Sequence, residues 1–80
     1  MTTIKQLLDR IKWDENFKPE QFAVHYLDRI KNKLIEVRYN DILKIEPGNI
    51  VIKKNNEETR IPLHRIKRVT KSGFTFWKRD

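Results

Sequence analysis

Phe22-Ala23-Val24-His25-Tyr26-Leu27 decides the fold. Phe22, Val24 and Tyr26 alternate with Ala23, His25 and Leu27, the period-two pattern of a strand with one face in a core. Downstream, Lys31-Asn32-Lys33 reads as a turn, and Leu34–Tyr39 as a second strand with Ile35 and Val37 on one face. Asn40-Asp41-Ile42 reads as one helical turn ahead of Leu43–Glu46. Pro47-Gly48 marks a tight turn, and Ile50 and Ile52 share a face of the strand after it. Asn55-Asn56-Glu57-Glu58 reads as a further turn leading into Thr59–Leu63, and a last hairpin pairs Ile66–Thr70 with Phe74–Lys78 across Lys71-Ser72-Gly73. Composition agrees: ten isoleucines and four valines stand against one alanine and six leucines, a β-branched bias. Short strands at this spacing predict a small antiparallel sheet of five or six strands that curls toward a barrel.

Upstream of the first strand the period changes. Ile4, Leu7, Leu8 and Ile11 fall at i, i+3, i+4 and i+7, one face of a helix. Thr3 is placed to cap it, with Gln6 as the capping-box partner. The helix should run from about Thr3 to Lys12, with residues 13–19 as a loop and Trp13 packing back on the helix. Too short to stand alone in water, it must dock its apolar stripe on the sheet, covering one face or one end. The expected fold is therefore α+β, a single domain over residues 1–80, with no repeat and no low-complexity tract.

Length and composition set the outer limits. Eighty residues, 38% of them apolar or aromatic, support one small core. A doubly wound nucleotide-binding domain or a barrel around a large cavity is too big for the chain. No run approaches the ~18 apolar residues of a membrane span. The opening Met1-Thr2-Thr3-Ile4-Lys5-Gln6-Leu7 lacks the layout of a signal peptide, so a cytoplasmic location is expected. Without cysteine there is no disulfide framework, thiolate zinc site or thiol catalysis.

Charge is the main functional clue. Eighteen Lys and Arg against eleven Asp and Glu give a net charge of +7. Residues 59–79 hold seven of the basic side chains (Arg60, Arg65, Lys67, Arg68, Lys71, Lys78 and Arg79) and no acidic one. One-ended basic charge points to a polyanion, RNA or DNA, rather than a membrane, because no amphipathic basic helix coincides with it. The alternative is a solvated surface.

Arg60-Ile61-Pro62-Leu63-His64-Arg65-Ile66 is the most informative segment for chemistry. Pro62 removes an amide and biases Ile61 to extended backbone, so strand pairing should stop there and aim His64 and Arg65 out of the sheet. Arginine's planar fork suits a phosphate, and an imidazole can donate to a second oxygen. The bland alternative has His64 bonded to a strand end and Arg65 solvated. Tyr26-Leu27-Asp28-Arg29 closes the first strand, where Asp28 would either orient Arg65 or His64 or pair with a surface lysine. Among eight aromatics, Phe22 and one of Phe74 or Phe76 are expected in the core. Trp77 alternates with Phe76, so a buried Phe76 would leave Trp77 exposed beside Lys78 and Arg79 as a base-stacking platform or a cover for a sheet edge. Catalysis finds little support: His25 lies mid-strand, no metal-ligand or paired-carboxylate spacing is present, and Gly48 and Gly73 are turn glycines.

Several strings together resemble a family of small archaeal proteins, the RNA cyclic group end recognition domain. They are Thr3-Ile4-Lys5…Leu8…Arg10-Ile11-Lys12-Trp13-Asp14, Tyr26-Leu27-Asp28-Arg29, Ile42…Ile45-Glu46, Arg60-Ile61-Pro62-Leu63-His64-Arg65-Ile66 and Gly73…Trp77-Lys78-Arg79. The resemblance covers essentially the whole chain, and Ile-Pro-Leu-His-Arg-Ile is its most specific motif. It implies a non-catalytic module for single-stranded RNA 3′ ends carrying a 2′,3′-cyclic phosphate or related group, in RNA processing or end repair. An RNA ligase, phosphoesterase or nucleotidyltransferase would be the partner enzyme, and neither cofactor nor metal is implied. The RNA-binding residues so implied, with the neighbouring cations, are Tyr26, Asp28, Arg29, His64, Arg65, Lys67, Arg68, Trp77, Lys78 and Arg79. Two alternatives remain open at this stage: a phosphoesterase acting on the same ends with His64 as acid or base, and a basic protein-interaction module.

Overall fold

A computed structural model describes residues 3–79; Met1, Thr2 and Asp80, and with them the first two residues of the signal-peptide reading, lie outside the described residues. Helix α1 spans Ile4–Trp13. Both halves of the capping box form: the Gln6 amide donates to Thr3 Oγ1 at 3.2 Å, and the Thr3 amide donates to Gln6 Oε1 at 3.1 Å. The apolar stripe Ile4, Leu7, Leu8 and Ile11 is buried, as its spacing requires. The Tyr39 hydroxyl pins the helix by donating to the Leu8 carbonyl at 2.8 Å. Burial, and next to it the Asp9 carboxylate, push that phenol's pKa up to about 12.

The sheet prediction needs correcting. Among the described residues seven strands form, β1 Phe22–Asp28, β2 Lys33–Arg38, β3 Ile42–Ile45, β4 Asn49–Lys54, β5 Glu57–Pro62, β6 Ile66–Lys71 and β7 Phe74–Lys78. They make two antiparallel sheets, ordered β2-β1-β6-β7 and β3-β4-β5, rather than one curling sheet of five or six strands. The chain changes sheet at two three-residue 3-10 turns, Tyr39–Asp41 between β2 and β3 and Leu63–Arg65 between β5 and β6. A third such turn, Pro19–Gln21, feeds β1. In each, the first residue of the following strand donates its amide back to the turn's first carbonyl. β5 ends at Pro62, which still pairs with Asn49; the Leu63 amide then donates to the Gly48 carbonyl at 3.0 Å, so the missing amide at Pro62 does not itself stop the pairing.

Two hairpins are tighter than the sequence suggests. Asn55 (φ 52°) and Asn56 (φ 64°) form a two-residue left-handed connection, so Glu57 and Glu58 belong to β5 rather than to the turn. Ser72 (φ 50°) and Gly73 (φ 86°) do the same between β6 and β7, which leaves Lys71 paired with Phe74.

One core joins the parts. Phe22, Val24, Tyr26, Ile66 and Val69 from the four-stranded sheet meet Ile50, Ile52 and Ile61 from the three-stranded one, with the α1 stripe, Tyr39 and Leu63 filling the cluster. The aromatic placement reverses the expectation. Thr70 pairs with Thr75 but Val69 pairs with Trp77, so Phe76 is an extra residue on β7 and the alternation of faces breaks there. Phe76 is 43% exposed, Phe74 is 79% exposed, and Trp77 packs half-buried against the core. Trp13 also turns outward, 76% exposed, with Lys12 Nζ 5.2 Å from its ring centroid.

Candidate nucleic-acid interface

The Leu63–Arg65 turn builds a cationic corner. Leu63 is buried and anchors the turn, which leaves His64 exposed and Arg65 half-buried beside it. The His64 carbonyl accepts from Arg79 Nη1 at 3.0 Å, and the Arg79 amide donates to the Lys67 carbonyl at 2.8 Å. The same guanidinium lies 5.3 Å from the Trp77 ring centroid, a cation–π contact. His64, Arg65, Lys67, Trp77 and Arg79 are thus brought together, although Arg79 follows His64 by fifteen residues.

Arg65 Nε is buried and bonded to none of the described residues; Arg68 Nε is the other buried side-chain nitrogen of which this is true. Guanidinium stays charged at any ordinary pH and carries five donors. A donor held from water without a protein acceptor is costly, and being closed to water it is closed to an incoming anion too, so an anion would be met by the guanidinium's Nη groups.

Arg68 and Lys78 belong to a neighbouring surface. Directly opposed residues of an antiparallel sheet share a face, so Glu36, His25, Arg68 and Lys78 form one row across the side away from the core. His25 is 8% exposed, with Nε2 3.4 Å from Thr70 Oγ1 and 3.5 Å from Glu36 Oε2. Burial and then the Arg68 charge lower its pKa, while Glu36 opposes them.

Three sequence-based assignments change. Asp28 orients neither His64 nor Arg65: its Oδ1 accepts from the amides of Ile30 at 2.9 Å and Lys31 at 3.1 Å, closing the β1–β2 turn. Chiefly the Lys31 amide, set against some desolvation and helped by the Ile30 amide, Lys54 and Lys31, lowers its pKa. Arg29 stands exposed on that turn, away from the corner's hydrogen bonds. Tyr26 is 6% exposed and part of the core, and what surface it keeps lines a recess with Ile35, Val37, Lys53 and Lys54, none of them a residue of the corner; it pairs with Ile66, the residue after the turn.

Sequence reasoning missed a second aromatic group. Phe17 contacts Phe22 and Phe76 edge to face, at 5.6 and 5.8 Å between centroids, and Phe22 meets Phe76 the same way at 5.4 Å. Arg10 lies 5.6 Å from the Phe17 centroid. The one signal in the sequence was an aromatic-rich β7, which fixed alternation assigned to the wrong face.

Small α+β proteins with a cationic, aromatic-edged corner form the class that this geometry defines. Within it, the chain belongs to the MJ1316 RNA cyclic group end recognition domain family, whose model matches residues 1–79. It is 31% identical over 81 residues to a UPF0248 protein of Methanococcus maripaludis, spanning 95% of this chain and 97% of that one. A UPF0248 protein of Metallosphaera sedula is 31% identical over 77 residues, 96% and 92% of the two chains. One from Saccharolobus islandicus is 28% identical over 79 residues, 95% and 98%. No solved structure gives a significant match.

Proposed function

We propose that this chain is a non-catalytic reader of RNA 3′ ends that carry a 2′,3′-cyclic phosphate or a related group. Arg65 and His64 meet the phosphate, while Lys67 and Arg79 face the adjoining backbone. The observation that carries the reading is the turn that sets exposed His64 beside half-buried Arg65, clipped down by Arg79. The family's name, which refers to RNA cyclic group ends, supports the same ligand.

The chemistry fits. A cyclic phosphate bears one negative charge and no ionisable hydroxyl, so its reader needs a fixed cation and a donor rather than a strong base. Arg65 supplies the cation in a planar fork and His64 the donor. Arg68 and Lys78 extend the positive surface that a single-stranded backbone follows; single-stranded ends are held by stacking and charge, not groove readout. In a cell such a module serves as an adaptor for an RNA ligase, phosphoesterase or nucleotidyltransferase, in the cytoplasm.

Binding should be measured with one oligonucleotide ending in cyclic phosphate, open phosphate or hydroxyl. The wild type should prefer the cyclic end. Arg65→Lys keeps the charge and loses the fork, and His64→Ala removes a donor. Each should reduce that preference by about 1–3 kcal/mol, the range for hydrogen bonds to charged groups, without unfolding the chain. Recovery of ring-opened RNA would instead mark a phosphoesterase. A steep fall in Tm for His64→Ala with end preference intact would make His64 a structural residue and overturn the site.

A further inference from the structure

A recess of about 230 Å³ opens beside the corner, lined by Leu7, Arg10, Phe17, Phe76 and Trp77. It exists because of the β7 bulge: strict alternation would send Phe76 and Trp77 to opposite faces, whereas here both line one wall. Phe76, at 43% exposure, offers an aromatic surface held edge-on by Phe17 and Phe22. Arg10 holds a planar cation over Phe17 at the same opening. The recess is continuous with the corner. Trp77 forms its wall, Arg79 stacks on Trp77, and Arg79 reaches the His64 carbonyl.

We infer that this recess takes an unpaired nucleobase of the RNA whose end lies at the corner, with Phe76 as the stacking surface and Arg10 as the cation beside it. Aromatic stacking accepts any base, because every base has a π-face, and a guanidinium adds a planar partner of the right charge. The inference rests on the RNA reading above and extends it from the terminal phosphate to the nucleotides before it. A second copy of the chain is the competing occupant, since β7 is an edge strand. Charge decides against it: Arg10 lines the recess and Arg79 stacks on its Trp77 wall, Asp14 at 3.7 Å offsets Arg10 only in part, and the chain carries +7 overall, so two copies would meet net positive to net positive while RNA brings the opposite sign.

The test uses two oligonucleotides with the same cyclic-phosphate end, one bearing bases in the three preceding positions and one with base-free sugars there. Wild-type protein should bind the base-bearing strand about tenfold more tightly, the scale of one stacked base. Phe76→Leu keeps an apolar side chain but not the ring, and Arg10→Ala changes an exposed residue; in both, that ratio should shrink toward one while preference for the cyclic over the open end persists. Thermal unfolding of each variant checks that it folds. Equal base dependence in wild type and variants, or none in wild type, overturns the inference whatever the end preference. So does a change in sedimentation of Phe76→Leu with the ratio intact, which assigns the recess to self-association. Loss of end preference alone, with base dependence retained, sinks the cyclic-end reading and leaves this one standing.

Discussion

His25 shows how a single side chain couples the sheet to pH. It sits between Glu36 and Arg68 in a row on the face away from the core, nearly closed to water. Its pKa is lowered below 6.5, chiefly by burial. Between the lowered value and 6.5 the folded chain therefore holds fewer protons than the unfolded one. The resulting stability is complete above the unfolded value and is lost as pH falls through the folded one. Thermal unfolding followed from pH 7 to pH 5 should show this decline, and His25→Gln should flatten it. Identical slopes in the two proteins would place the titration elsewhere. Asp28, whose pKa is also lowered, acts in a separate and more acidic window, lost only as pH falls from its ordinary 3.8 downward. The histidine's position on the strand was legible from alternation; its near-burial was not, because that depends on the strands beside it.

Among the elements, α1 follows most directly from local sequence. Its cap, its stripe and its length are all decided within twelve residues, and the Thr3–Gln6 pair closes as its types require. Thr3→Ala should cost about 1 kcal/mol. For a domain of this size that lowers Tm by roughly 4–8 °C, measurable by circular dichroism. A shift under one degree would mean that docking, not capping, holds the helix start. The hairpin at 71–74 is also local, since Ser72 and Gly73 supply the left-handed backbone. The bulge in β7 is not. It depends on how β7 registers against β6, a choice made by packing, and one extra residue exchanged the expected places of Phe76 and Trp77. For the same reason the corner was readable and the recess was not: Pro62 announces the corner in its own neighbourhood, whereas the recess needs the helix, the 13–19 segment and β7 together.

At the scale of the molecule, the division into two sheets was hidden because each strand looks alike in sequence, and only the 3-10 turns at 39–41 and 63–65 hand the chain across. The charge asymmetry, by contrast, survives folding in part: Arg65, Lys67 and Arg79 gather at one end, with Arg68 and Lys78 on the adjoining face. If this surface follows an RNA backbone, the logarithm of affinity should fall linearly with the logarithm of salt concentration. About three or four phosphate contacts at about −0.7 each give a slope of roughly −2 to −3. Titrations in rising potassium chloride check it, and a flat response would remove the polyanion reading.

The three 3-10 turns amount to one device used three times. Each is sealed by the amide of the strand that follows, and in two of them the leading residue, Tyr39 or Leu63, is sunk in the core. The next two residues differ in chemistry: Glu20-Gln21 and Asn40-Asp41 are exposed, and His64-Arg65 sets an exposed imidazole beside a half-buried guanidinium. In the turns led by Tyr39 and Leu63 folding constrains the first position most, and the exposed positions after it least. On the RNA reading proposed above, the exposed His64 is therefore the position at which recognition could change with the least disturbance of the architecture.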